Sequence, residues 1–232
     1  MKFVSVVQHC SAEYLGFMED HLEGRRVRFK YFRPFTEGTP LPHPDAIGDA
    51  LILLGGGPWG SAGGRDLPTL KAEINLATTC LMLEKPVIGI GLGAQILSLA
   101  AGGRVSAAPL CFTIGEATRV APHALNGYLP ARYPHIVYMR DWPEPPAYAQ
   151  VLARGPEGRP ALFQIGETAF GFVGHPGFKR AMAEDLLMEF GEAPPAPDAA
   201  LAALHGLAGP IQDALVPIMT GLVQCTGLMA KL

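Results

Sequence analysis

A strand, a turn and a helix follow one another in residues 86–95, Pro86-Val87-Ile88-Gly89-Ile90-Gly91-Leu92-Gly93-Ala94-Gln95. The apolar run from Val87 to Ile90 is typical of a buried strand, and residues 94–100 have the apolar content of a following helix. The turn between them needs a positive φ, which glycine adopts at the least steric cost. In enzymes with a nucleophile elbow, this turn residue carries the attacking Ser or Cys. Here it is Gly91, so the stretch predicts elbow geometry without a nucleophile.

The composition of the 232 residues predicts one large domain, or a domain with a small appendage. Apolar residues make up 49% of the chain and charged residues 17%. No apolar run reaches the ~18–20 residues that span a bilayer, and the first eight residues fit a strand better than a signal peptide. A formal charge of −3 argues against a nucleic-acid surface. The four cysteines have no paired spacing, which predicts no metal site, no disulfides and a reduced cytoplasmic protein.

Strand and helix patterns alternate over the first 105 residues. Strands are predicted over residues 2–8, 26–32, 51–54 and 87–90, and helices over 11–23, 67–84 and 94–100. The apolar stripe of the first helix contains Tyr14, Leu15, Met18 and Leu22, and that of the second contains Leu70, Ile74, Ala77 and Leu81. This alternation predicts a doubly wound α/β sheet, in which ligands bind at the carboxyl ends of the strands.

The pattern changes after Gly103. Short strands are predicted near residues 104–108, 116–120, 135–139, 149–154, 160–165 and 170–174, followed by a helix over 178–190. Residues 191–199 are rich in proline and predict a loop or short linker, and the tail after them predicts a largely apolar helix loosened by Pro217 and Gly221. We therefore divide the chain into a domain of residues 1–190 and, in residues 191–232, a linker and helical tail packed on the domain or on a partner.

Three segments are expected to meet at the carboxyl ends of the strands. The first, residues 54–60, is a glycine-rich loop whose N–H groups can face a ligand oxygen, although a simple tight turn also explains it. The second is the elbow at Gly91. The third, residues 170–177, ends a strand at His175, and a lone histidine at such a position is more often structural than catalytic.

In this order, the three segments resemble the class I glutamine amidotransferases over roughly residues 45–190. The matches are Gly56-Gly57-Pro58, the run from Pro86 to Gln95, Gly102-Gly103-Arg104-Val105, and the run from Gly171 to Gly177. The resemblance implies a flavodoxin-like, mostly parallel sheet flanked by helices, with an added antiparallel strand region. It also implies a site in which a Cys attacks the glutamine amide, a His acts as its base and a Glu orients the His.

The chain departs from this family pattern at two of the three catalytic positions. The resemblance places Gly91 at the Cys position, His175 at the His position and Gly177 at the Glu position. It also implies an oxyanion hole formed by backbone N–H groups of Gly57 and Leu92. A small carboxylate or amide, such as glutamine, would then contact Gly56, Gly57, Leu92 and Gln95.

Other residues are weighed as a relocated nucleophile. Ser98 lies seven residues along the elbow helix, about 10 Å from Gly91 at a rise of 1.5 Å per residue, so it is out of reach. Cys111 corresponds to a family stretch that passes near the glutamine pocket, and Cys10 follows the first strand beside His9. Free cysteines are most often buried as small apolar side chains.

The sequence therefore predicts a glutamine amidotransferase-like protein without the nucleophile and the triad Glu, acting as a binding or regulatory subunit. The expected partner is a synthase or another protein, or a second copy of the chain, with no cofactor, nucleic acid or membrane. The alternative is an active hydrolase or transferase on an amide or carboxylate, using a relocated nucleophile or His175 with water. A nucleotide-binding module is disfavoured, because the Gly89, Gly91 and Gly93 spacing lacks the dinucleotide fingerprint.

Overall fold

The computed structural model describes residues 1–36 and 40–229. The elements are β1 (Phe3–Val7), α1 (Met18–Gly24), β2 (Arg28–Phe32), β3 (Ala50–Leu53), α2 (Leu70–Met82), β4 (Val87–Ile90), α3 (Leu92–Ala100), β5 (Arg104–Ser106), β6 (Cys111–Arg119), β7 (Arg132–Met139), β8 (Trp142–Glu144), β9 (Gln150–Arg154), β10 (Pro160–Ile165), β11 (Ala169–Phe172), α4 (Arg180–Glu189), α5 (Pro197–Ala203) and α6 (Ala208–Cys225). Short 3-10 turns lie at Pro44–Ala46 and Ala124–Gly127.

Within the described residues, nine strands form one mixed sheet in the order β2-β1-β3-β4-β11-β10-β9-β6-β7. The strands from β2 to β11 in this order are parallel to their neighbours, and every pairing from β11 to β7 is antiparallel. Strands β5 and β8 form a separate antiparallel ladder. The predicted doubly wound α/β fold with an added antiparallel region is confirmed.

Helices cover both faces of the parallel strands, because successive side chains of a strand point to opposite faces. In β3 and the residue after it, Ile52 and Leu54 pack on one side in the same apolar cluster as α1 and α6, and Leu51 and Leu53 pack on the other side with α2 and α3. All four are fully buried. The prediction that residues 51–54 are a central strand covered on both faces is confirmed.

The helix predicted over residues 11–23 is wrong in its first half, since α1 begins at Met18. Residues 11–17 form bends and turns, and Gly16 has a φ of +63°, which a right-handed helix does not contain. This segment instead folds down onto the sheet edge and buries Glu13 and Leu15. The apolar spacing of Leu15, Met18 and Leu22 matched a helix because all three are buried in the same layer.

Helix α2 is shorter than predicted, and its most buried face differs from the apolar stripe. The structure buries Glu73, Leu76, Ala77 and Cys80, and of the predicted stripe only Ala77 belongs to this set. Leu70, Ile74 and Leu81 are half-buried at the edge of the same apolar cluster. The helix is turned so that a carboxylate enters the protein.

The antiparallel half follows the predicted strands with changed boundaries. Strand β6 is longer than the strand predicted near 116–120 and includes Cys111, and β7 begins three residues before the predicted 135. Strand β8 was not predicted, because its residues Trp142, Pro143 and Glu144 include a proline, which is disfavoured in strands. The helix predicted over 178–190 corresponds to α4.

Two helices, α5 and α6, lie within residues 197–225. The loop predicted over 191–199 ends earlier, because α5 begins at Pro197, a favoured residue type for the first helical turn. The longer helix α6 packs on β7 and on the 3-10 turn Ala124–Gly127 through buried residues that include Leu215, Ile218 and Leu222. Among residues 1–36 and 40–229, no single helix has the length and hydropathy to cross a membrane, and α5 and α6, bent by 70°, meet that test only as a pair.

Candidate functional site

Four neighbouring parallel strands end at one edge of the sheet. Strands β1, β3, β4 and β11 run in the same direction, and the order of the sheet reverses between β1 and β3. Ligands of open α/β sheets bind in the crevice at such a switch point. The three predicted segments are all here, after β3, β4 and β11. A fourth segment, residues 8–16 after β1, joins them.

The elbow at Gly91 has the predicted geometry. Gly91 precedes α3 with φ 55° and ψ −113°, a conformation that side-chain-bearing residues rarely adopt, and its N–H donates to the Phe172 carbonyl at 2.8 Å. A Cβ added at Gly91 would lie 3.4 Å from the Gly55 Cα, which is an ordinary contact. The turn therefore has room for a side chain, although it carries none.

The glycine loop after β3 binds a carboxylate of this chain. The N–H of Gly57, one of the two expected oxyanion donors, donates to the Glu13 Oε2 at 2.5 Å. The other, Leu92, is the first residue of α3, so its N–H has no acceptor within the helix. A Cβ at Gly55 would lie 2.0 Å from the Glu13 Oε1, so glycine is required there for the carboxylate to approach.

His9, beside Glu13, forms a fully buried ion pair. Its Nε2 lies 2.7 Å from the Glu73 Oε2, and its Nδ1 lies 3.1 Å from the Gly55 carbonyl. Both partners accept hydrogen bonds, so both ring nitrogens must donate, and only the imidazolium form does this. The other oxygen of Glu73 accepts from the Thr69 hydroxyl at 2.6 Å. Helix α2 therefore places the Glu73 carboxylate at the sheet edge as the counter-ion of His9.

The pKa values of His9 and Glu13 follow from this arrangement. Burial by itself lowers the pKa of His9, but the charge and hydrogen bond of Glu73 raise it above its usual value. Burial raises the pKa of Glu13 to about 7, against the opposing effects of the Gly57 hydrogen bond and the His9 charge. The Glu13 carboxyl, with a pKa near neutral pH, is therefore hydrogen-bonded to the Gly57 N–H, one of the two predicted oxyanion donors.

His175 is held by backbone groups on both ring nitrogens. Its Nε2 donates to the Tyr14 carbonyl at 2.8 Å, and its Nδ1 accepts from the Gly177 N–H at 3.1 Å. Burial lowers its pKa to about 4, so the ring is neutral at pH 7. In this arrangement neither nitrogen is free to take a proton from a nucleophile.

Gly177 packs directly against the start of α1. Its carbonyl accepts from the Phe17 N–H at 2.9 Å. A Cβ at this position would lie 2.9 Å from the Met18 Cγ and 3.0 Å from both the Leu15 carbonyl oxygen and the Met18 nitrogen. The space for a side chain at position 177 is therefore filled by residues 15–18.

Leu186 of α4 and Phe190, which follows this helix, cover the glycine loop. A Cβ at Gly57 would lie 2.9 Å from the Phe190 ring, which follows α4, and 3.1 Å from the Leu186 Cδ2. Near the end of the helix, Glu189 accepts from the Ser11 hydroxyl at 2.7 Å and from the Ala12 N–H at 3.1 Å. These contacts fasten α4 to the segment after β1.

Glu192 continues this cover beyond α4. Its carboxylate pairs with Arg65 at 2.7 Å and with Arg140, and these hydrogen bonds lower its pKa. Arg140 also donates to the Pro58 carbonyl at 3.0 Å. Gly91 and the glycine loop are buried, apart from the half-buried Trp59.

Gln95, predicted to contact a ligand, uses its amide within the protein. Its Oε1 accepts from the Ser61 hydroxyl at 2.6 Å, and its Nε2 donates to the Arg140 carbonyl at 2.6 Å. The side chain is fully buried. It ties the glycine loop to the turn before β8.

Asp141 holds the same turn from its other side. Its carboxylate accepts from three backbone N–H groups, those of Ser61 at 3.0 Å, Ala62 at 3.1 Å and Ala108 at 3.0 Å. Its φ is +60°, which aspartate and asparagine tolerate better than most residues. Asp141 is buried, and its carboxylate is held by these backbone groups.

We expect Asp141→Ala to lower the free energy of unfolding by about 2 kcal/mol, because it leaves buried N–H donors without an acceptor. Asp141→Asn keeps an acceptor oxygen and the tolerance of positive φ, so its loss should be clearly smaller. Urea unfolding of both variants measures the difference. Equal losses would mean that the three hydrogen bonds do not stabilise the turn.

The cysteines weighed as nucleophiles are held as thiols. Cys10 is buried after β1, and burial together with the Glu13 charge raises its pKa strongly. Cys111 lies on β6, where burial raises its pKa and its thiol donates to the Met139 carbonyl at 3.3 Å. Thiolates are the nucleophilic form, so neither environment activates its cysteine. Within residues 1–36 and 40–229, no group of three or more His, Cys, Asp and Glu side chains is placed to hold a metal ion.

Glu13 and Glu73 were not predicted from the sequence as parts of this site. The usable signal was the position of His9 and Cys10 at the carboxyl end of β1, which places the following residues at the crevice. Glu73 had no comparable signal, because a glutamate within a helix is normally solvated.

Comparison with known proteins identifies the family. The chain is 34% identical over 169 residues to GMP synthase (glutamine-hydrolyzing) of Aeropyrum pernix, and the match covers 67% of this chain and 30% of that protein. The chain therefore spans less than a third of the relative's length. No protein-family model matches it.

Solved structures share the fold over 97% of the chain. They include a glutamine amidotransferase from Methylobacillus flagellatus (TM-score 0.81, 21% identity, 95% of that chain) and one from Thermotoga maritima (TM-score 0.77, 22% identity, 98% of that chain). A chain of the PurLQS structure from Thermotoga maritima also matches (TM-score 0.55, 15% identity, 97% of this chain and 99% of that chain). The sequence match and the fold place this protein in the class I glutamine amidotransferase family.

Proposed function

We propose that this glutamine amidotransferase-like protein lacks glutaminase chemistry and serves as a binding or regulatory subunit of an assembly. The observation that carries the proposal is the glycine at the apex of the elbow. Gly91 has the backbone geometry that presents a nucleophile, but no side-chain atom that can attack an amide. In this proposal Gly91 is the degenerate nucleophile position, His175 the retained histidine and Gly177 the degenerate glutamate position.

The contacts of the other site residues support the loss of catalysis. Both nitrogens of His175 are bound to backbone groups, so a base is not available to a nucleophile at position 91. The Gly57 N–H already binds the Glu13 carboxylate. A glutamine-like ligand at Gly56, Gly57 and Leu92 has to displace Glu13 first.

The alternative, an active hydrolase or transferase with a relocated nucleophile or with His175 and water, is less well supported. Activation of Cys10 or Cys111 needs a lowered thiol pKa, and both pKa values are raised. Activation of water by His175 needs a free ring nitrogen, and both nitrogens are bound.

A synthase is the partner that we propose. The relative in Aeropyrum pernix is a GMP synthase that extends well beyond the matched region. A chain with the same fold is also found in the PurLQS structure from Thermotoga maritima. The proposal includes a cytoplasmic location, which the four unpaired cysteines support.

The proposal is tested by assaying glutamate and ammonia release from glutamine, and by purifying the tagged protein from its native cells. We expect no hydrolysis above that of a His175→Asn variant, and a synthase recovered in a fixed ratio. Glutamine hydrolysis that is lost in His175→Asn, or in a serine variant of Cys10 or Cys111, would overturn the loss of catalysis. Recovery of this chain alone would overturn the subunit role.

Gly91→Cys separates the missing side chain from the blocked histidine. The new Cβ has an ordinary contact at 3.4 Å, so we expect the variant to fold. We also expect no gain in glutamine hydrolysis, because His175 stays bound to the Tyr14 and Gly177 backbone. The same assay measures this, with Gly91→Ala as the control. His175-dependent hydrolysis by the cysteine variant would show that the histidine is free to act as a base.

A further inference from the structure

We propose a second ligand site, away from the elbow, in the wedge between β6 and the turn that joins β9 to β10. It takes a small planar molecule with an anionic group at one end and a neutral hydrogen-bonding group at the other. The site shares no residue with the crevice around Gly91, so it stands independently of the proposed function.

The wedge follows from the pairing of β6. This strand pairs with β9 only at Thr118 and Arg119, while its first half, residues 111–115, pairs with β7 alone. The turn at residues 155–160 therefore lies apart from residues 111–114 and returns only at Gly115, where an added Cβ would lie 2.6 Å from the Pro156 Cγ. The space left is a cavity of about 440 Å³, within the range of small-molecule sites.

His135 lines this cavity and has no hydrogen bond to its ring. The residue is only 6% exposed. No side chain or backbone group of the described residues forms a hydrogen bond with either of its ring nitrogens. Gly155 and Gly174 make room for the ring, since a Cβ at Gly155 would lie 3.3 Å from the His135 Nε2 and one at Gly174 2.6 Å from its Nδ1. Among the described residues, the fully buried side-chain atoms without a hydrogen bond are the Tyr133 and Tyr138 hydroxyls, and the His135 nitrogens are not among them. These nitrogens therefore remain accessible from the cavity, where a ligand can hydrogen-bond to them.

Burial lowers the pKa of His135 to about 4, so the ring is neutral at pH 7. A neutral imidazole has one donor and one acceptor nitrogen, and suits a hydroxyl or an amide of the ligand. Arg159 is the only Lys or Arg among the described residues that line the cavity, so a ligand carboxylate is better placed at Arg159 than at the neutral His135. His135 therefore selects the neutral end of the ligand.

Arg159 supplies the charge at the mouth of the cavity. Its guanidinium stacks on the Trp142 ring at 4.8 Å and is half-exposed. Its ion pair with Glu157 is long, at 3.8 Å, and the Glu157 side chain is 73% exposed, so an incoming anion can replace it. No described residue accepts a hydrogen bond from this guanidinium, which leaves its planar N–H face for a ligand carboxylate.

The other walls of the cavity include apolar side chains with rings. Trp142, Pro109, Pro156 and Pro160 line it together with His135 and Arg159. A planar ring fits such walls better than a flexible chain, because it loses less conformational freedom on binding. An aromatic hydroxy-acid has the required parts, with a hydroxyl for His135, a ring for the walls and a carboxylate for Arg159.

The proposal is tested with 4-hydroxybenzoate, and with benzoate and phenol as matched probes that each lack one end. Trp142 reports binding by fluorescence in a Trp59→Phe background, since the chain has two tryptophans. We expect 4-hydroxybenzoate to bind about tenfold more tightly than either probe. Equal affinity of the three, or no fluorescence change up to millimolar concentrations, would overturn the proposal without any site variant.

Two variants then assign the ends. His135→Leu should reduce the affinity for 4-hydroxybenzoate to that for benzoate and leave benzoate unchanged. Arg159→Gln should reduce the affinity for 4-hydroxybenzoate to that for phenol. The control is Arg132→Gln, which alters an exposed arginine of β7 outside the cavity and should leave the affinity unchanged. Retention of the full preference in His135→Leu would overturn the role of His135.

Discussion

Gly177→Glu is expected to lower the free energy of unfolding by about 3 kcal/mol or more, as overpacking of a filled site does. The side chain must begin 2.9 Å from the Met18 Cγ and 3.0 Å from two backbone atoms of residues 15–18. The methionine can move, but the backbone is held by the hydrogen bond from the Phe17 N–H to the Gly177 carbonyl. The added carboxylate also starts from a buried position, where desolvation of a charge is costly.

Gly191→Glu is the matched control for this prediction. It introduces the same side chain after α4, where an added Cβ meets no atom within 4 Å, so its effect should stay within about 0.5 kcal/mol. Urea unfolding gives both values. Similar stability of the two variants would show that residues 15–18 do not pack on Gly177 as described.

The two positions of the proposed triad loss differ in the space they leave for a side chain. At position 177, residues 15–18 fill the space that a glutamate side chain needs. Position 91 differs, since its turn still has room for a side chain. In the proposed triad, position 177 no longer has space for a side chain, whereas position 91 has the space but carries no side chain.

The fold could be predicted from the sequence because its strands carry strong local signals. Residues 51–54 and 87–90 are short apolar runs bounded by turns, and each is a fully buried strand. The order of the strands places their carboxyl ends together, which is why the glycine loop, Gly91 and His175 were expected at one edge. These predictions needed only local pattern and the general topology of α/β sheets.

The contents of the site could not be predicted in the same way. Residues 11–17 have helical spacing, but the hydrogen bonds to Tyr31, Glu189 and Gly177 favour a folded loop. The hydrogen bond of Gly57 joins it to a residue 44 positions away, and the ion pair of His9 spans 64 positions. Tertiary contacts of this range leave no periodic signal in the sequence.

Glu13→Gln is expected to remove a pH dependence of stability of about 3 kcal/mol. Burial raises the pKa of Glu13 from 4.5 to about 7 in the folded state. Between pH 4.5 and 7 the folded protein binds this proton more tightly than the unfolded chain does. Protonation of Glu13 therefore contributes fully to the free energy of unfolding below pH 4.5, and this contribution is lost as the pH rises through 7. Glutamine mimics the protonated acid and can still accept from the Gly57 N–H.

The comparison has to be made as a difference between the two proteins, because other groups titrate in the same window. The pKa values of His175 and His135 are lowered to about 4, so they destabilise the folded state as the pH falls below 6.5. His9, with its raised pKa, changes stability in the same direction as Glu13. Subtraction of the two stability curves largely cancels the contributions of His175 and His135 and leaves that of position 13.

Unfolding by urea at intervals from pH 4 to pH 8.5 measures this difference. Relative to the unmodified protein, Glu13→Gln should gain about 3 kcal/mol between the two ends of the series, with most of the change between pH 4.5 and 7. Glu23→Gln, which alters an exposed glutamate of α1, should give a flat difference. A flat difference for Glu13→Gln would mean that the carboxylate is solvated and does not occupy the Gly57 N–H, and the crevice would then be open to a ligand.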